Sequence, residues 1–302
     1  MVTLGDSTGA FLGLGSPFSD FENARFVVIP MPFEASAGGR EGAARGAEAV
    51  LEASRRVELF DEETFANAAR LGIATVEPQI TASSTEEMSH LAQELADAVP
   101  SNKRAFWVGG EGSISHGLIR SYLGRYRDLS VLQLDAHPNL RTEYLGKLHY
   151  GRMTVMNKLQ TDLPITQVGI RSMSEEEADL TDKGKVTTIF AQDVMTRPLK
   201  AETLPQILEN LSEHVYVSVD MTVFDPALCP GVNLPEPGGL GWREVLEILR
   251  TVARDRDIVG MDVVETVPLP HQDVTQLVAA KLIYKTMGYL GQFRGWPPLK
   301  NA

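Results

Sequence analysis

Asp135 and His137 stand two residues apart at the end of an apolar run, Leu132-Gln-Leu-Asp135-Ala-His137-Pro-Asn139-Leu-Arg141. On an extended backbone that spacing turns both side chains to one face. A second run, Val215-Tyr-Val-Ser-Val-Asp220-Met-Thr222-Val-Phe-Asp225-Pro226, ends on Asp220, with Tyr216, Ser218 and Asp220 facing away from Val215, Val217 and Val219. Two carboxylates and an imidazole meeting at strand ends would suit a hard divalent ion or zinc. The structural alternative is that Asp135 caps the turn that follows and His137 packs beneath it. Spacing leaves both readings open. Two further segments have the same setting: Trp107-Val-Gly109-Gly110-Glu111-Gly112-Ser113, between a strand and a helix, and Asp262-Val-Val-Glu265-Thr-Val-Pro268.

Short apolar runs alternate with amphipathic ones along the whole chain, without internal repeats or low-complexity linkers. The pattern predicts strands at Arg25–Pro30, Leu71–Val76, Ala105–Val108, Ser130–Leu134, Ile165–Ile170, Val186–Phe190, His214–Asp220 and Ile258–Val264. It predicts helices at Ala43–Arg55, Thr85–Val99, Ser113–Gly124, Met153–Leu159, Ser174–Lys183, Ala201–Leu211, Trp242–Asp255 and Val274–Gly288. This rhythm implies a mostly parallel sheet covered on both faces, and it fits an open sheet or a closed (β/α)₈ barrel equally. Either way ligands gather at the carboxyl ends of strands, which directs attention to the loops after Val108, Leu134, Asp220 and Val264.

The 302 residues can bury a large core, and 43% hydrophobic with 23% charged residues is ordinary for a globular chain. A net charge of −12 argues against nucleic-acid or anionic-membrane partners, which need basic patches. The lone Cys229 excludes an internal disulfide and a multi-cysteine metal site. Met1–Asp6 lacks the basic and apolar regions of a signal peptide, and no stretch approaches a membrane span, so a cytoplasmic location is expected.

Together these segments resemble the signatures of the ureohydrolases, the family of arginase, agmatinase and formimidoylglutamase. Asp135-Ala-His137 and Leu234-Pro-Glu236-Pro-Gly-Gly239-Leu carry the likeness, supported by Phe26–Phe33 and Gly42–Ser54. Val57-Glu-Leu-Phe-Asp-Glu-Glu63 and Leu240-Gly-Trp-Arg-Glu244 are most similar to bacterial agmatinases. The resemblance runs over nearly the whole chain. It implies one domain, 1–302, with an open three-layer α/β/α fold and a mostly parallel sheet. It also implies a site in which six ligands hold two manganese ions, and a hydroxide bridging them attacks the guanidinium carbon.

Mapped onto this chain, the six ligand positions are Gly112, Asp135, His137, Asn139, Asp220 and Thr222. The family has His at the first, and Asp at the fourth and sixth. Three ligands are therefore replaced. Asn139 and Thr222 also remove two of four clustered carboxylates, as expected of a site that no longer holds cations. The expectation is a chain without a bound metal; the alternative is one divalent ion, manganese or zinc, at Asp135, His137 and Asp220.

The proton-relay histidine of the family falls on His149 when Gly146-Lys-Leu-His149 is matched, and on Arg152 when Val155-Met156 is matched. Arg152 is then a candidate for charge compensation against Asp135 and Asp220. Glu265 matches the glutamate that binds the substrate guanidinium, with a plain strand-end ion pair as the alternative. His116, one turn into the helix after Gly112, is a weaker substitute for the missing ligand. The resemblance further implies a homo-oligomer, trimeric or hexameric, able to assemble with an active paralogue.

Overall fold

The computed structural model describes residues 9–35, 38–143, 151–181 and 183–299. Its centre is an eight-stranded sheet in which every described pairing is parallel. In spatial order the strands are β4 (Ile73–Thr75), β1 (Phe26–Met31), β5 (Arg104–Gly109), β10 (Asp257–Val264), β9 (His214–Asp220), β6 (Leu129–Leu134), β7 (Ile165–Ile170) and β8 (Val186–Phe190). All eight lie where the apolar runs predict them. The sheet is open, as the resemblance implies.

Alternation within the strands divides the core in two. Phe26 and Val28 of β1, with Val215, Val217 and Val219 of β9, pack with α1 (Gly46–Ser54), α8 (Trp242–Asp255) and α9 (Val274–Arg294). Val27, Ile29 and Met31 of β1, with Tyr216 of β9, pack with α2 (Thr85–Ala98), α3 (Ile114–Arg125) and α4 (Val155–Leu159). Both faces are therefore covered by helices, which gives the three layers. Among the described residues no helix is long and apolar enough to cross a membrane.

Five elements differ from expectation. Phe60–Asp61 (β2) and Ala66–Asn67 (β3) form a small antiparallel hairpin, too short to leave an alternating pattern. Ala191–Thr196 (α6) continues directly from β8 with no side-chain cap to announce it. Leu204–Glu209 (α7) is the regular part of the helix expected at 201–211. The helix expected at Ser174–Lys183 is shortened to Glu175–Ala178 (α5), beyond which the chain turns and reaches Gly184 at φ +62°.

That short helix holds the loop after β6. Ser174 and Glu177 form a capping box, and Glu177 is fully buried. Its Oε1 accepts the Leu140 N–H at 3.2 Å and its Oε2 accepts from Arg141 Nε at 3.3 Å. Removing the carboxylate leaves the Leu140 N–H without this acceptor. Glu177→Ala should cost about 2–3 kcal/mol in urea unfolding, against less than about 0.5 kcal/mol for Ala at the exposed neighbour Glu175. Equal costs would remove Glu177 as the anchor of this loop.

Candidate functional site

The carboxyl ends of β5, β10, β9 and β6, four consecutive strands at the centre of the sheet, deliver Gly112, Glu265, Asp220 and Asp135 to one place. His137, Asn139, Arg152, Asp220, Thr222 and Glu265 line a common cavity of about 10 Å³, close to the smallest space that holds one water.

Asp135, 1% exposed, is enclosed by hydrogen-bond donors. Its Oδ2 accepts from Gln133 Nε2 at 2.8 Å and from Asn139 Nδ2 at 2.7 Å. Its Oδ1 accepts the His137 N–H at 2.8 Å and lies 3.1 Å from the Thr222 hydroxyl. A carboxylate offers about four acceptor positions, and each here faces a protein donor. Asp135 thus caps its own turn, as the structural alternative to a ligand role supposes. Asn139 reaches it from a left-handed backbone at φ +56°, a conformation that asparagine tolerates.

Asp220 is held in the same way. Its Oδ1 accepts the Thr222 N–H at 2.8 Å and lies 2.6 Å from the Thr222 hydroxyl. Burial, then the charges of Asp135 and Glu265, push the Asp220 carboxyl well above the usual carboxylate range, which favours the neutral acid. The Thr222 hydroxyl sits between the two aspartates, so the residue that removes a carboxylate also supplies a donor.

His137 lies with Nδ1 3.5 Å from Asp135 Oδ1 and Nε2 3.7 Å from Glu236 Oε1. Burial disfavours the charged ring, but the Asp135 hydrogen bond and the Asp135 and Glu236 charges outweigh it and raise the imidazole above its usual value.

Charge compensation by Arg152 was expected against Asp135 and Asp220; among the described residues its ion pair is with Glu265, while the Asp220 charge also favours its charged form. Its Nη1 donates to Glu265 Oε2 at 3.2 Å and its Nη2 to the Gly38 carbonyl at 2.8 Å. The reason is that Asp135 is already surrounded by donors, whereas Glu265 offers an oxygen beyond the one that accepts the Gly112 N–H at 2.7 Å. Burial raises the Glu265 carboxyl to about 7 against the lowering effect of the Arg152 charge. His149 lies outside the described residues.

His116 is directed away from the cavity. Its Nδ1 is 2.7 Å from Ser89 Oγ on α2, so it joins two helices instead of replacing the ligand missing at Gly112. Burial, helped by the Arg120 and Lys158 charges, depresses it from 6.5 to about 4. The unfolded chain therefore takes up this proton first as the pH falls. The stability that His116 contributes is complete above pH 6.5 and is lost as the pH drops to about 4. His116→Asn should flatten the fall in melting temperature across that window relative to the parent; parallel profiles would contradict the assignment.

Several residues of the site escape a reading by spacing. Gln133 and Gln167 are register partners on β6 and β7, and Gln167 Nε2 donates to Gln133 Oε1 at 2.6 Å and to the Pro138 carbonyl at 2.6 Å. Polar residues in two neighbouring apolar runs were the available signal. Arg171 donates to the carbonyls of Thr222 at 2.7 Å, Glu236 at 2.8 Å and Gly169 at 3.1 Å, joining three site loops. Glu236 stands in the Pro-Glu-Pro-Gly-Gly segment already singled out.

The fold and the strand-end site define a class, and comparison with known proteins gives the same one. The arginase-family profile matches residues 24–288, and the chain belongs to this family, the ureohydrolases. It is 34% identical to an N(1)-aminopropylagmatine ureohydrolase of Thermus thermophilus, with 94% of this chain and 97% of the relative covered. A Synechocystis N(1)-aminopropylagmatine ureohydrolase is 32% identical over 91% of this chain and 92% of its own. Among solved structures, the agmatine ureohydrolase of Thermoplasma volcanium superposes with a TM-score of 0.84 at 28% identity, covering 91% of this chain and 93% of that one.

The family implies a pair of manganese ions, and at three of the six ligand positions it implies this chain has Gly112, Asn139 and Thr222. Among the described residues no group of three or more His, Cys, Asp or Glu side chains is arranged to hold a metal ion. Asp135 is surrounded by protein donors, and Asn139 and Thr222 bring no charge to balance divalent cations.

Proposed function

We propose that this ureohydrolase has lost guanidine hydrolysis through two manganese ions and acts as a binding or partner subunit, with no metal in its own pocket. The observation that carries the proposal is the ring of donors around Asp135. At two positions where the family has ligating aspartates, Asn139 donates to Asp135 and the Thr222 hydroxyl lies between Asp135 and Asp220, 3.1 Å from the first and 2.6 Å from the second. They occupy the acceptor positions that a metal would require. The same ring counts against the single-ion alternative at Asp135, His137 and Asp220, because an ion there would have to displace Gln133, Asn139 or Thr222 from Asp135.

The relatives are named for ureohydrolysis of aminopropylagmatine and agmatine. In this reading the chain keeps their scaffold and assembles as a trimer or hexamer, with itself or with an active paralogue. Closed symmetry is the usual state of soluble oligomers, and the ligand positions replaced here lie at the centre of the sheet. Loss of the ligands therefore gives no reason for loss of an outer interface. Light scattering should find a trimer or hexamer; a monomer at micromolar concentration would remove the partner-subunit role.

The chemistry is tested by elemental analysis after incubation with excess manganese and desalting, which should find no stoichiometric metal. Urea release from agmatine, arginine or N(1)-aminopropylagmatine should stay at background, because no metal-activated hydroxide is available at neutral pH. Two tightly held manganese ions per chain would overturn the proposal. Turnover abolished by Asp220→Asn would do so as well, in favour of the single-ion enzyme.

A further inference from the structure

The Glu265 carboxylate is a prepared receptor for a planar cation, and the chain fills it with its own side chain. Glu265 is 1% exposed and Arg152 5% exposed. The receptor is built by groups other than Arg152. Glu265 adopts φ +65°, a left-handed conformation costly for a residue with a side chain. Its own N–H is held by the Gly110 carbonyl at 2.8 Å, while its Oε1 accepts the Gly112 N–H at 2.7 Å. That leaves Oε2 directed at the Arg152 guanidinium, whose second amino group meets the Gly38 carbonyl at 2.8 Å.

A carboxylate oxygen and a carbonyl on one cation recognise a guanidinium by shape as well as by charge. Gly112 borders the pair: a Cβ there would lie in ordinary contact, 3.6 Å from Glu265 Oε1 and 3.7 Å from Arg152 Cβ. The cavity of about 10 Å³ beside Arg152 cannot admit a second guanidinium.

We infer that Arg152 is a built-in guanidinium ligand, occupying in cis the place where this pocket would otherwise take a guanidinium from solution. The side chain thereby sets specificity by exclusion: with Arg152 in place, no alkylguanidine reaches Glu265. Removal of the side chain turns the same pocket into a guanidinium-binding site. The inference concerns Glu265 and its cation alone, so it is tested in EDTA, where metal binding plays no part.

The test compares the parent, Arg152→Ala and Arg152→Ala/Glu265→Gln by thermal unfolding, with guanidinium, methylguanidinium, ammonium or sodium chloride at equal millimolar concentrations. Arg152→Ala should melt below the parent, since it leaves a buried carboxylate without its cation. Guanidinium and methylguanidinium should raise its midpoint by about 2–3 °C at tenfold excess over the dissociation constant. Ammonium and sodium should not. The parent, already filled, and the double variant, lacking the carboxylate, should show no specific response. If Arg152→Ala does not fold in plain buffer, the same salts are supplied during refolding, and only the guanidinium salts should restore the native circular dichroism. A single variant that responds to all four cations alike or to none, or a parent that responds as strongly, overturns the inference.

Discussion

A carboxylate buried without water must be neutralised, coordinated or surrounded by donors. At the end of β6 this chain uses the third solution. Gln133, Asn139, the His137 backbone and Thr222 converge on Asp135, and each comes from a segment with its own place in the fold. Gln133 is held by Gln167 on the neighbouring strand, and Asn139 lies in the loop that Glu177 anchors through the next residue, Leu140. Thr222 lies in the turn whose carbonyl Arg171 grips. The hydrogen-bonding needs of one carboxylate thus account for polar residues scattered over about 90 positions.

The pocket's charges are balanced by the same economy. Asp135 is stabilised by donors, and Asp220 is pushed by burial toward its neutral form. Glu265 faces Arg152, and His137 gains basicity from Asp135. Relative to the family pattern, two aspartates have become an amide and a hydroxyl, while a guanidinium stands beside Glu265. In the proposed reading, a single replacement would leave a buried group unsatisfied, whereas together they balance the cluster without cations.

Much of the scaffold was legible because buried parallel strands write themselves as apolar runs, and the stripe of Val245, Leu249 and Val252 marked α8 to the residue. Strand order was not legible from periodicity, since pairing joins segments far apart in the chain. The family resemblance, not the pattern, separated open sheet from barrel. In the site, Asp135, His137 and Asp220 could be found by spacing alone. Gln133 and Gln167 could not, because their relation exists only once β6 and β7 are in register. The ion pair of Arg152 with Glu265 was not legible for a related reason. Its reach toward Gly38 and Glu265 depends on three loops meeting, and the numbering of one strand does not carry that.

The central claim is that the substitutions exchanged a metal-stabilised cluster for a hydrogen-bonded one. It is tested most directly by reversing them with Gly112→His, Asn139→Asp and Thr222→Asp in one chain and melting it beside the parent, in EDTA and in manganese. Space for a β-carbon at Gly112 is present. The triple variant should melt well below the parent in EDTA, because new carboxylates press on Asp135. It should recover in manganese, with the parent's melting temperature the same in both. A parent stabilised by manganese, or a triple variant as stable as the parent without it, would contradict the account.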